Sequence, residues 1–593
     1  MSAAANRDPL VVLKFGSSVL RDGDDLPRAV HAIHRHLREG RRVLAVVSAL
    51  GPTTDRLLER ANRLTERPGP RDLARLLAGG ERESGALLAL ALERAGIRAE
   101  VLEPTDGCVR ARGAVLDAGD PVIDRGAFER AFAQASVCVL PGFYARHDDT
   151  GGVCLLGRGG SDLTAVACGH ALGAERCVLL KDVDGLYERD PADTLETVAR
   201  PRRFTTVTFA DAAALDGRIL QAKAVAWAAA RGACFEVGDD GAVAPTLVGA
   251  AATTLAPSAP DRARLRVALA GLGTVGSGVF ERLRRLDLEL VGVLVRDRAR
   301  PREIDASPAA LAPLLTDDAD DLFECPFDAL IELVGGAEVG GALARRALAD
   351  GRHVITANKA WLAADPSAAS FAAEHGVHLL DSAAVGGNVP ALERVRALVD
   401  TGRPVASIAG VLNGTVGFVL DQLEVGASLE VAVARAQERG LAEADPSLDL
   451  DGHDAAHKIE LLARAAGAER VRFETIEGVD ATTAERARDA ASRGRRCAQV
   501  ARVDLVTDGD GARVGVARVR LLELDATHPL GVPRGEDNAV SIGTEDGEQI
   551  VLTGRGAGRW PTTEAVIGDL LELVRRGARA RGLGRARDGR REG

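Results

Sequence analysis

The chain has 593 residues, enough for about two to four domains that each bury a core of their own. Its 46% hydrophobic and 27% charged residues are those of a globular enzyme, and a net charge of −11 argues against a general nucleic-acid surface. There is no apolar run of membrane-spanning length, no signal-peptide core in MSAAANRDPL and no C-x-x-C pair among the eight cysteines, so a cytoplasmic protein without disulfides or cysteine metal sites is expected.

Leu10 to Phe15 (LVVLKF) reads as a buried strand with Lys14 near its end, followed by Gly16, Ser17 and Ser18. A helical pattern over Leu26 to Leu37 separates it from a second such strand, Arg42 to Ser48, which runs into the turn Ala49 to Asp55. Further strands are predicted at Ser136 to Leu140 and Cys177 to Leu180. Strands alternating with helices indicate an α/β domain with a mainly parallel sheet, which binds ligands beyond the carboxyl ends of its strands.

Four segments there carry candidate chemistry. Lys14 stands either to meet a phosphate or to be simply solvated. Glu81 to Ser84 (ERES) opens an apolar helix, as ligand contacts or as its cap. Gly157 to Asp162 (GRGGSD) brings backbone amides, Arg158 and Asp162 together, more than a plain turn requires. Lys181 to Gly185 (KDVDG) sets Asp182 and Asp184 after an apolar strand, which suits magnesium or a nucleotide and equally an ordinary turn.

In this order, KFGSS, VVSALGPTTDRLL, GERES, VLPGF, LLGRGGSDLTA and DVDGLYERDP together resemble the aspartate kinase branch of the amino-acid kinase family. The resemblance implies a three-layer α/β sandwich over residues 1–240 that phosphorylates L-aspartate with ATP and Mg2+. It implies that Lys14 and Arg158 stabilise charge on the transferring phosphoryl group. Glu81, Arg158 and Ser48 would hold aspartate, and Asp182, Asp184 and Tyr187 would frame the ATP site. Phosphoryl transfer is mostly positioning plus cationic neutralisation, which these residue types supply. The departures are Ser17, Ser18 and Val19 within K-F-G-G-T-S, Lys181 for the threonine before D-V-D-G, Ala192 after the D-P, and Arg218 for the lysine and Gln221 within G-A-K-V-L-H-P. With them, a silent kinase-like or ligand-sensing domain is the alternative.

Val237 to Asp261 is rich in Gly, Ala, Pro and Thr and reads as linker, assigned to 241–263, with one short strand closing the first domain. By the same resemblance, aspartate kinases fused to a second enzyme would carry two small ligand-sensing domains at this point. There is no room for them, so feedback through such domains is expected to be absent.

Leu265 to Leu283 (LRVALAGLGTVGSGVFERL) reads as strand, glycine turn and helix, with Gly271, Gly273 and Gly276 around Thr274 and Val275. That context makes G-x-G-x-x-G a dinucleotide site. The next strand, Leu288 to Val295, ends in Arg296 and Arg300 rather than an acidic residue, which suits a 2′-phosphate and NADPH over NADH, with solvated arginine as the plain alternative. Phe327 to Val334 is a further buried strand, and His353 to Lys359 (HVITANK) brings Thr356, Asn358 and Lys359 to a strand end. Residues 406–421 read as strand with Asn413, Gly414 and Thr415 at a turn, and Leu429 to Arg439 as helix. Beyond it Asp454 and Lys458 lie four apart on one helix face, with Glu443 upstream, as a site or as surface decoration.

VALAGLGTVGSGV, LIELVGG, HVITANKA, GVLNGT, GLAEADPSLDLDGHDAAHK, HPLGVPRGEDNAV and GRGAGRWPT together resemble homoserine dehydrogenase. The resemblance implies a Rossmann NADP-binding domain over 264–390, an α+β catalytic and dimerisation domain over 391–545, and a return segment over 546–576. Residues 577–593, arginine-rich and glycine-broken, are expected to be a disordered tail. By the same resemblance Lys359 and Lys458 polarise and protonate an aldehyde oxygen, while Glu443 and Asp454 hold the substrate's α-amino group. Gly271, Gly273, Thr274, Val275, Gly276, Arg296, Thr356, Asn358, Lys359 and Gly558 would hold the cofactor, with Gly556 and Ala557 beside the last. In DSAAVGGNVP, Asp381 stands in for the glutamate that helps many relatives bind a monovalent cation, with Val385 as a second ligand. The whole chain is expected to make 4-phospho-L-aspartate and to reduce L-aspartate 4-semialdehyde to L-homoserine, for threonine and methionine. A homo-oligomer, dimer or tetramer, with no nucleic-acid or membrane partner, is expected with it.

Overall fold

The structure is a computed structural model that describes all residues except 1–7, 190–200, 216–218, 240–244, 257–263, 303, 305–306, 443–444 and 578–593. The chain divides into two units, Met1–Arg262 and Ala263–Gly593. Ala192, Arg218, Glu443 and nearly all of the expected tail 577–593 lie outside the described residues.

In the first unit, strands Leu10–Phe15 and Arg42–Val47 are buried along almost their whole length. Such continuous apolar strands belong to a parallel sheet covered on both faces. They sit in a nine-stranded sheet ordered Thr254–Leu255, Phe204–Val207, Thr246–Val248, Phe235–Gly238, Arg176–Leu180, Leu10–Phe15, Arg42–Val47, Val137–Pro141, Ala99–Val101. Helices Leu26–Arg38 and Pro70–Arg94 contribute Ile33 and Leu92 to the core on one face. Helices Gly160–Leu172 and Ala222–Arg231 contribute Val166 and Val225 on the other. This is the three-layer α/β sandwich that the sequence implied. The central strands pair in parallel, so Lys14, Ser48 and Lys181 all arrive at one edge.

Two expectations are corrected here. Residues 241–263 are not simply a linker, because Thr246–Val248 and Thr254–Leu255 are strands of this sheet. Fully buried Thr246 accepts from the Leu186 amide (2.9 Å) and donates to the Phe204 carbonyl (2.6 Å). One short strand is expected here and two are found, the small residues and short length having hidden the second. Glu81 does not open its helix either: the helix starts at Pro70, whose ring suits a first turn, so Glu81 lies in its interior and caps nothing.

In the second unit a six-stranded parallel sheet runs Leu315–Thr316, Glu289–Leu294, Arg266–Ala270, Ala329–Glu332, His353–Thr356, Leu379–Leu380. That is the Rossmann order 3-2-1-4-5-6, with its crevice between the first and fourth strands. A second, largely antiparallel sheet runs Arg470–Ile476, Arg513–Asp525, Arg495–Thr507, Val405–Val411, Asp537–Thr544, Gln549–Arg555. Helix His453–Ala465 covers it, and Ile459 and Leu462 share one core with Ile408 and with Leu330 and Val354 of the parallel sheet. The run 406–421 is only half strand: Asn413 accepts from the Val416 amide (3.0 Å) and caps helix Gly414–Glu424. The return also begins later than residue 546, because Gln549–Arg555 still belongs to the second sheet. Helix Arg559–Arg575 makes the return, packing on helix Thr274–Leu283 and joined to it by Arg282–Glu564 (3.2 Å) and Arg559–Glu281 (2.6 Å).

The corrected boundary predicts that a fragment ending at residue 262 melts cooperatively. One ending at 240, without the two strands that satisfy Leu186 and Phe204, should lose that transition in a thermal melt followed by circular dichroism.

Candidate active sites

The first unit's strand edge opens into a cavity of about 870 Å³ lined by Lys14, Ser48, Glu81, Arg158, Asp162, Lys181, Asp182 and Tyr187, among others. Lys14 Nζ lies 2.8 Å from Asp162 Oδ1, and Lys181 Nζ lies 3.1 Å from Asp162 Oδ2. Burial lowers the Lys14 ammonium below the ordinary lysine range, with Asp162 opposing it. Burial would raise the Asp162 carboxyl, but Lys14 and Lys181 outweigh it and hold the carboxyl low. Gly157 (φ 75°) and Gly159 (φ 77°) take left-handed turns into helix Gly160–Leu172, so its positive N-terminus meets the cavity.

Glu81 is 3% exposed; one oxygen accepts weakly from the Ala49 amide (3.4 Å) and the other, Oε2, has no hydrogen bond. Burial pushes its carboxyl up to about 7, only partly countered by the Ala49 amide and by Lys14. A buried carboxyl with one open oxygen in a cavity can take an ammonium group. Arg158 and Asp182 are exposed at the mouth, and Tyr187 donates to Asp184 (2.6 Å), whose carbonyl also accepts from Arg203 (3.1 Å). All the expected residues of this unit therefore line the cavity, except Asp184, which stands behind Tyr187.

In the second unit, Asp454 is the centre. Lys458 Nζ lies 2.7 Å from its Oδ2 and Lys359 Nζ 2.8 Å from its Oδ1, while Asn413 Nδ2 donates to Oδ2 at 3.0 Å. Lys458 also donates to the Leu412 carbonyl (2.7 Å). Burial would raise the Asp454 carboxyl, but the two ammonium groups hold it at about 2. Burial lowers Lys458, against the pull of Asp454. Asp449 accepts from the same Asn413 amide (2.9 Å) and is raised by burial and by Asp454.

Lys359 begins helix Lys359–Ala364, capped by Asn358, whose Nδ2 donates to the Gly336 carbonyl (2.8 Å). Thr356 donates to Glu332 Oε2 (2.7 Å), and Glu332 Oε1 accepts from the Val334 and Gly335 amides (2.9 and 3.0 Å). Glu332 thus ties the end of one strand to the turn after its neighbour. Sequence reasoning passed over it, Asn413 and Asp449 as site residues; a carboxylate inside the apolar run LIELV was the available signal, since such a group is buried only with partners.

The glycine turn divides by role. A Cβ on Gly271 (φ 99°) would lie 2.6 Å from the Leu333 carbonyl, and one on Gly276 would strike the Gly271 carbonyl. A Cβ on Gly273 would meet nothing within 4 Å, so the protein's own packing does not require that glycine. Open backbone before Thr274 and Val275, at the start of helix Thr274–Leu283, is what a pyrophosphate needs to approach closely. The arginines 296 and 300 are exposed beyond strand Glu289–Leu294. Gly558 (φ 110°) starts the return helix, and the Gly556 backbone lies against the Asn538 amide and Gly387.

The cation site expected at Asp381 and Val385 finds no support. Both Asp381 oxygens accept from Arg396 (2.8 and 2.9 Å), and Val385 is wholly buried in the apolar core. A bidentate arginine already neutralises that carboxylate.

Comparison with known proteins bears on both units. Residues 9–228 match the amino acid kinase family, 271–380 the NAD-binding domain of homoserine dehydrogenase and 390–571 homoserine dehydrogenase. The chain is 34% identical over 328 residues to homoserine dehydrogenase of Synechocystis, covering 52% of this chain and 73% of that protein. It is 34% identical over 345 residues to that of Corynebacterium glutamicum, covering 56% and 76%. A homoserine dehydrogenase structure from Thiobacillus denitrificans is 31% identical, with a TM-score of 0.47, covering 53% of this chain and 74% of that one.

The shared carboxylate predicts that Asp454→Asn lowers the stability of the second unit by on the order of 3 kcal/mol, by leaving a buried ammonium unpaired. The folded carboxyl lies at about 2, below its unfolded value near 4. The carboxylate's contribution is therefore complete above about pH 4 and lost as pH falls through 2. The Tm gap between wild type and variant should be widest near neutrality and narrow over that acid window.

Proposed function

We propose that this chain, which belongs to the homoserine dehydrogenase family and carries an amino acid kinase family domain, is a bifunctional enzyme. The second unit reduces L-aspartate 4-semialdehyde to L-homoserine, and the first phosphorylates L-aspartate with MgATP to 4-phospho-L-aspartate. The observation that carries the dehydrogenase chemistry is the pair of ammonium groups sharing buried Asp454.

Lys458 uses two N–H groups on Asp454 and Leu412, and its third is the one to meet the aldehyde oxygen. Bound NADPH supplies the hydride that goes to the aldehyde carbon. The charge then developing on oxygen is stabilised by Lys359 and Lys458, and Lys458 Nζ gives up the proton that completes the alcohol. Burial supports that role, because it makes this ammonium a readier proton donor than an ordinary lysine. Asp454 holds both lysines and, with Glu443, is proposed to take the substrate's α-amino group. Thr356 and Asn358, braced by Glu332 and Gly336, line the nicotinamide side. Gly271, Gly273, Thr274, Val275, Gly276 and Gly558 are proposed to hold the dinucleotide, and Arg296 its 2′-phosphate, which favours NADPH over NADH.

In the first unit the γ-phosphoryl group passes to a side-chain oxygen of aspartate as its bond to the β-phosphate oxygen breaks and ADP leaves. Lys14 and Arg158 are proposed to neutralise the charge on that group. Glu81, with Ser48, takes the aspartate, and Asp182, Asp184 and Tyr187 frame MgATP. Glu81 supports this by its open, buried oxygen. A homo-oligomer in the cytoplasm is proposed on the resemblance alone; no helix among the described residues is long and apolar enough to cross a membrane.

Lys458→Ala should leave NADPH binding intact by fluorescence titration and reduce turnover by about 10²–10⁴-fold; a near-normal rate would refute its role. ATP- and aspartate-dependent hydroxamate formation by the whole protein tests the kinase, and none at high substrate leaves a silent or sensing domain. Because an ammonium partner lowers the Glu81 carboxyl from about 7, aspartate binding near pH 7 should release a proton. Calorimetry in buffers of different ionisation enthalpy reads this, and Glu81→Gln should abolish the release.

A further inference from the structure

Lys181 has no part in the roles proposed above, yet it stands in the kinase cavity. It directly follows strand Arg176–Leu180, which pairs in parallel with Leu10–Phe15. Lys14 pairs with Leu179, so Lys181, two residues on, projects from the same face of the sheet at the same edge. Its amide donates to the Gly238 carbonyl (2.8 Å), which fixes the backbone, and its side chain is only 12% exposed.

We infer that Lys181 is a second phosphate-binding ammonium of this pocket, acting with Lys14 on the anionic groups of a nucleoside triphosphate. The inference rests on the kinase reading of this site. Asp162 is already matched in charge by Lys14 at 2.8 Å, so with a second ammonium at 3.1 Å the cluster of these three groups carries one positive charge in excess. Lys181 is among the groups that depress Lys14, a repulsion that an anion between them would relieve. The N-terminus of helix Gly160–Leu172, which carries Asp162 in its first turn, adds a positive end to the same place. Without Lys181 the floor would be a neutral Lys14–Asp162 pair facing the acidic groups of Glu81 and Asp182.

The test uses the full chain with MgATP and adenosine as probes. Lys181→Met should weaken MgATP binding about 10- to 100-fold, the worth of one charged hydrogen bond, leave adenosine affinity unchanged and depress hydroxamate formation in parallel. Lys181→Arg should restore most of the loss. Unchanged MgATP affinity and hydroxamate rate in Lys181→Met overturn the inference, as does an equal loss of adenosine and MgATP, which marks a structural role. A wild type that binds MgATP through Lys181 but forms no hydroxamate upholds the phosphate site and fails the kinase reading. A wild type that binds no MgATP overturns both.

Discussion

An ammonium group taken out of water needs a charge partner close by, or it gives up its proton. Lys458, with 7% of its side chain exposed, keeps its partner in Asp454, and Asp454 in turn is shared with Lys359. Three segments of the second unit meet in that arrangement. Helix His453–Ala465 supplies Asp454 and Lys458, the capped helix at Asn358 supplies Lys359, and the Asn413 amide locks the carboxylate against turning.

The first unit solves the same problem in the same way on an unrelated architecture, with Asp162 between Lys14 and Lys181. Both proposed reactions build negative charge on oxygen, and each candidate site holds two ammonium groups around one carboxylate. In a chain of net charge −11 this positive charge has to be local. Parallel strand ends bring Lys14, Lys181 and Lys359 to their sites, while Lys458 comes from the helix over the second, largely antiparallel sheet.

Much of this was legible in the chain. The glycine turn, Arg296 and the strand ends of Lys14 and Thr356 follow from local patterns that have local physical causes. Asp454 and Lys458 could be placed on one helix face from their spacing. What could not be read was which alternative held. Asp381 looked like a cation ligand because its partner Arg396 lies 15 residues away on another element. Glu81 looked like the opening of its helix, with a cap role as the alternative to ligand binding, because the helix start at Pro70 is a matter of where the chain first packs. Glu332 drew no notice because its partners, two amides and a threonine from the next strand, exist only in the folded sheet.

The sequence alone determined the two α/β units, their order and the dinucleotide turn, because periodicity, glycine geometry and strand-end chemistry act over a few residues, while the roles of the site residues came from the resemblance to known families. Only the tertiary structure decided the pairing of Lys359 with Asp454 across 95 positions, the depressed carboxyl that results, the open oxygen of Glu81 and the pairing of two strands from 241–263 into the first sheet. Those depend on burial and on distances between remote segments. Electrostatic coupling is set by separation in space and by exclusion of water, and neither is written in the spacing of residues along a chain.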